Sequence, residues 1–126
     1  MKTHFIFDFD DTLTNSYDFN QQMFVDTFLP HCPDIDQLWL RNLHFISRGK
    51  AMQPLFWEAI QHFSLNLDPV KLTEENEILH QQKFEQIKFF EGTEELMKSL
   101  KSLPLHYLKL SSLILLLLKN FWHITF

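Results

Sequence analysis

Apolar residues along this chain follow two different periods. From His4 to Phe7 they form a short unbroken run without Pro or Gly, which predicts a buried strand of the kind found in parallel sheets. From Phe19 to Leu29 they recur four apart (Phe19 with Met23, Phe24 with Phe28, Val25 with Leu29), which predicts a helix. Pro30-His31-Cys32-Pro33 ends it. A second helix has Asp34 as its expected cap and Ile35, Leu38, Trp39, Leu43 and Ile46 as its expected apolar face. After Ser47-Arg48-Gly49-Lys50, a third helix begins with Pro54 in its first turn. Its stripe is Met52, Leu55, Phe56, Ala59, Ile60 and Phe63. Asn66-Leu67-Asp68-Pro69 reads as a loop, and Lys71 to Ile87 as a more polar surface helix. Gly92 permits a turn into a last helix, with Thr93 as its expected cap and Leu96, Leu100 and Leu103 as its buried face. Leu105 to Leu110 predicts a second strand, closed by Ser111-Ser112. Two strands flanking a long helical block imply the α/β class.

Composition narrows the picture. A chain of 126 residues with 45% hydrophobic residues and 14 Phe fits one domain, or a small core carrying an insert. The net charge of −5 argues against a nucleic acid partner held by a basic face. The lone Cys32 excludes a disulfide within the chain and suits a reducing compartment, with a buried free thiol as the expectation. The first residues lead straight into the strand with no signal peptide, and the apolar run at 113–118 is too short to span a membrane. A cytoplasmic protein is expected. Only Gly49 and Gly92 occur, fewer than a complete doubly wound domain normally uses, so much of such a core is missing or the chain is mostly helix. The seven His are scattered without zinc-ligand spacing, and there is neither a Gly-rich phosphate loop nor a G-x-S-x-G elbow.

The candidate chemistry lies where the first strand ends. Asp8 and Asp10 are two apart, so their carboxylates can point the same way, with Cα atoms roughly 6–7 Å apart on an extended chain. Open α/β folds place ligands at the carboxyl ends of their strands. Two carboxylates there suit a hard cation, with one left free for chemistry. The run Asp8-Phe9-Asp10-Asp11-Thr12-Leu13 resembles the first motif of the haloacid dehalogenase-like (HAD) superfamily, an apolar strand followed by D-x-D-x-T-L. Asn15-Ser16 is similar to the Asp-Ser that often follows in its sugar-phosphate and phosphoglycolate phosphatases. Position 11 is more often Gly in that family, and Asp is a familiar variant.

The resemblance implies a fold and a chemistry. The fold is a Rossmann-like parallel-sheet core, here incomplete, formed by residues 1–16 and 88–126, with an α-helical cap inserted at 17–87. Asp8 would be the nucleophile, forming an aspartyl-phosphate. Asp10 would protonate the leaving alkoxide and then deprotonate the attacking water. Mg²⁺ would be held by the Asp8 side chain and the Asp10 carbonyl. An acid at position 10 favours phosphoryl transfer over dehalogenation, because a halide leaves without a proton. Thr12 is expected to hold the turn through side-chain to backbone bonding. Arg48 and Lys50 resemble, loosely, the Gly-containing cap loop that meets an anionic substrate. Phe89 to Leu100 resembles the return to the core, and Ser111, with Ser112 as the alternative, stands where the family's second motif places a hydroxyl on the phosphoryl oxygens.

The family's third-motif Lys and fourth-motif acids do not appear, and residues 113–126 do not resemble its continuation. A C-terminal truncation is expected, with 113–126 as an out-of-frame tail. Strand one would then lack a neighbour, with self-association through its edge as the consequence. Two readings stand side by side: a Mg²⁺-dependent phosphatase acting on a small phosphorylated substrate, and a catalytically inactive fragment or helical interaction module. A receiver-like phospho-acceptor is a third, opposed by the long helical insert after strand one.

Overall fold

The computed structural model describes residues 5–8, 10–101 and 108–109. The chain divides into two compact units, Met1–Ser16 with Ile87–Phe126, and Tyr17–Gln86.

In the first unit, β1 (Phe5–Ile6) pairs in parallel with β2 (Leu108–Lys109), with Phe5 opposite Leu108 and Ile6 opposite Lys109. Among the described residues this short ladder is the extent of the expected sheet. Residues 105–107, Leu110, Leu103, Ser111, Ser112 and the tail at 113–126 lie outside the described residues. Asp10 and Phe89 each bridge to Thr14, and the amide of Asn15 donates to the carbonyl of Lys88 at 2.9 Å. The chain then re-enters through Gly92 and α5 (Thr93–Lys101). Gly92 has φ 83°, a left-handed conformation that costs Gly little. Its carbonyl accepts from the Leu96 amide at 2.9 Å, and Glu94 and Glu95 place negative charge at the helix start. Leu96, expected on a buried face, is exposed.

The second unit is helical. It comprises most of α1 (Ser16–Phe28), then α2 (Gln37–Ile46), α3 (Met52–His62) and α4 (Pro69–Lys83), and it ends in a 3₁₀ turn at Phe84–Gln86. Its core is a cluster of Phe24, Val25 and Phe28 from α1, Leu40 and Leu43 from α2, Leu55, Phe56, Ala59 and Ile60 from α3, and Leu72 from α4, joined by Ile35. The expected α3 stripe faces this cluster, with Met52 and Phe63 packed at its margin; of the α1 stripe, Phe24, Val25 and Phe28 lie in it, Leu29 packs against it, and Phe19 and Met23 are buried. Cys32 is half-buried against the same cluster rather than enclosed by it.

Helix α2 differs from expectation in phase. Asp36, not Asp34, is the cap, and its carboxylate accepts from the Trp39 amide at 3.0 Å. Ile35 therefore precedes the cap and Leu40 sits four residues into the helix, the two positions of a hydrophobic staple. The buried positions are Leu40, Leu43, His44 and Ser47, spaced 3, 1 and 3. Leu38 and Ile46 lie at 69% and 73% exposure. Ile35 and Leu43 lie in the core as expected and Trp39 packs at its margin, but His44 and Ser47 occupy the inward positions that hydropathy had given to Leu38 and Ile46. Helix α4 begins at Pro69, two residues before the expected start. Asp68 caps it by accepting from the Val70 amide at 2.9 Å, and Pro69 contributes the preset φ favoured in a first turn. Its buried Asn76 donates to the Thr27 hydroxyl at 2.9 Å, and that hydroxyl donates to the Met23 carbonyl at 2.8 Å. The chain satisfies both buried side chains by linking α4 to α1.

Candidate active site

The acidic turn is built by the re-entry segment. Asp11 has φ 55°, the left-handed region, where an L-residue is strained and Asp is among the better tolerated. This accounts physically for Gly or Asp at this position of the motif. Leu13 and Thr14 turn inward and are buried. The Leu13 carbonyl accepts twice, from the Phe90 amide at 3.0 Å and from the Thr93 hydroxyl at 3.1 Å. Thr93 is thus buried as a clamp rather than serving as the helix cap, and Thr12, the expected holder of the turn, is exposed. The clamp residue was hidden in the sequence, because a Thr after Gly at a helix start has the look of an ordinary cap.

Asp8 and Asp10 are both exposed at this turn, Asp8 two residues beyond the end of β1. Their donor set is hard oxygen open to water. Mg²⁺ is usually held by one or two carboxylates and keeps several waters, so the two acids fit its chemistry. Among the described residues, no group of three or more His, Cys, Asp or Glu gathers as a metal site. An open cleft of 540 Å³ runs along the re-entry segment, lined by Lys88, Phe89, Glu91, Glu94 and Glu95 among others. Its three carboxylates against one ammonium give it the wrong sign for a phosphorylated anion.

Arg48 and Lys50 belong to the helical unit. The turn that carries them closes by a bond from the Lys50 amide to the Ser47 carbonyl at 3.0 Å, with Gly49 at φ 79°. Both side chains are exposed. Arg48 nonetheless has a fixed neighbour: its guanidinium carbon stands 3.9 Å from the centroid of the Tyr17 ring and 5.1 Å from that of Phe45. Beneath it, His44 packs between the rings of Tyr17 and Phe24, at 5.3 and 5.7 Å. Burial pushes the His44 imidazole below its ordinary value, and the positive charges of Arg48 and His80 push it the same way. The Tyr17 platform left no signal in the sequence, since Tyr17 is in α1 and Arg48 is in the turn after α2, far along the chain.

The family of haloacid dehalogenase-like hydrolases is matched by residues 5–108 of the chain. The chain belongs to this family. The match runs from β1 through the helical unit to β2, and an α/β fold is what the family implies for this hydrolase. No curated protein and no solved structure gives a significant match. None of the hydrolase's helices among the described residues is long and apolar enough to cross a membrane.

Proposed function

We propose that this hydrolase is a phosphatase that cleaves the phosphomonoester of a small, phosphorylated metabolite in the cytoplasm. The observation that carries the reading is a second exposed acid, Asp10, two residues after Asp8 on the turn beyond β1. A carboxylate oxygen of Asp8 attacks phosphorus, and the bond from phosphorus to the ester oxygen breaks. Asp10 gives its proton to that oxygen, which leaves as an alcohol. Asp10 then takes a proton from water as the water attacks phosphorus, and the bond to Asp8 breaks to release inorganic phosphate. Mg²⁺, held by Asp8 and the Asp10 backbone, would offset the charge of carboxylate and phosphate during approach. Ser111, or Ser112 beside it, would donate to the phosphoryl oxygens, and Arg48 with Lys50 would bind the anionic substrate. On this reading the β1–β2 pair begins a Rossmann-like sheet, and the helical unit is the family's cap insertion.

The test is turnover of an aryl phosphate by the purified chain, with and without Mg²⁺. Asp8→Asn should abolish a Mg²⁺-dependent rate, and Asp10→Asn should lower kcat by about 10²–10⁴-fold. Folded protein without such turnover would sink the phosphatase reading and favour a non-catalytic helical module.

A further inference from the structure

The turn between α2 and α3 treats its two exposed cations differently. Lys50 ends its turn as an exposed ammonium, whereas the Arg48 guanidinium lies over the Tyr17 ring at 3.9 Å, with Phe45 flanking at 5.1 Å. Tyr17 is itself held on several sides. Its ring packs against those of His44 and Phe45, and its hydroxyl accepts from Gln21 Nε2 at 3.1 Å. Gln21 Nε2 also donates to the Arg41 carbonyl at 3.0 Å, which ties the first turns of α1 to α2. A ring fixed in this way is a platform rather than a passing contact.

A guanidinium carries its five N–H donors in its own plane. A ring against one face restricts the side chain's rotamers and leaves the edges of that plane free. Those edges are what a phosphate or carboxylate accepts from in a two-pronged contact. An arginine already held in place loses less freedom when an anion binds. We infer that Tyr17 is a positioning residue, which holds Arg48 ready to bind the anionic group of the substrate and makes Arg48, not Lys50, the cation that matters. The inference rests on the proposed phosphatase reading for its substrate.

The test is the split between KM and kcat for aryl phosphate in the full chain. Tyr17→Leu should raise KM about two- to fivefold, the range expected for losing an exposed cation–π contact, with kcat unchanged. Tyr17→Phe keeps the ring face and should keep KM within twofold of wild type. Arg48→Met should raise KM at least as much as Tyr17→Leu, and Lys50→Met should raise it less. In the Arg48→Met background, Tyr17→Leu should add nothing. An unchanged KM in Tyr17→Leu, a fall in kcat alone, or an undiminished effect in the Arg48→Met background would overturn the inference. If wild type shows no Mg²⁺-dependent turnover, the phosphatase reading fails separately. Positioning is then judged by titrating inorganic phosphate while following the Arg48 side-chain N–H signal by NMR. Weaker binding in Tyr17→Leu but not in Tyr17→Phe would support it, and equal or absent binding in all three proteins would overturn it.

Discussion

Phe56 and Trp57 are neighbours on α3 with opposite fates, and the contrast between them tests the packing of the helical unit. Phe56 is 0% exposed, with its ring 5.0 Å from Phe24 and 5.5 Å from Phe28, while Trp57 is 55% exposed. Truncating a buried Phe to Ala costs about 3–5 kcal/mol, from lost transfer free energy and the cavity left behind. The two aromatic pairs account for roughly 1–3 kcal/mol of that. At about 0.05–0.15 kcal/mol per residue, the unit Tyr17–Gln86 would have a total stability of about 4–10 kcal/mol. Phe56→Ala therefore removes a large share of it. Phe56→Leu fills part of the space and should cost about 1–2 kcal/mol. Trp57→Ala, though it deletes the larger side chain, should cost less than about 1 kcal/mol. Urea titration followed by far-UV circular dichroism reads the difference. With a slope of about 1 kcal/mol/M, Phe56→Leu should lower the midpoint by roughly 1–2 M. A Trp57→Ala loss equal to or greater than that of Phe56→Ala would refute the packing described here.

Three further outcomes are expected. At the left-handed Asp11, Asp11→Gly relieves strain but frees the unfolded chain, so stability should change by less than about 1 kcal/mol; Asp11→Val should cost about 1–2 kcal/mol more, read by thermal melts. Asp36→Ala should cost about 1 kcal/mol by removing the α2 cap, and Asp34→Ala should stay within about 0.5 kcal/mol; equal losses would mean that the cap is misplaced. His44 titrates below 6.5 in the folded chain, so the unfolded chain binds the extra proton first. Stability from this site is intact above pH 6.5 and declines as pH falls from there toward the folded value, by at most about 1.4 kcal/mol per pH unit. Subtracting the urea midpoints of His44→Gln from those of wild type isolates that decline, and parallel profiles would contradict it.

Much of this protein was legible from its residues in order. The Asp8–Leu13 run carried the family resemblance, because its spacing is itself the chemistry. The stripes of α1 and α3 were legible because both inward faces are almost wholly apolar. Helix α2 was misread where His44 and Ser47 occupy inward positions, since hydropathy records what a side chain prefers and not which face the cap at Asp36 turns inward. Tertiary structure alone decided that Thr93 clamps the Leu13 carbonyl, that Asn76 satisfies Thr27, and that Arg48 rests on Tyr17. Periodicity and motif depend on neighbours within a turn or two, and the order of residues fixes those. A buried hydrogen bond or a stacked cation needs a partner brought from another part of the chain, and only the folded backbone supplies it.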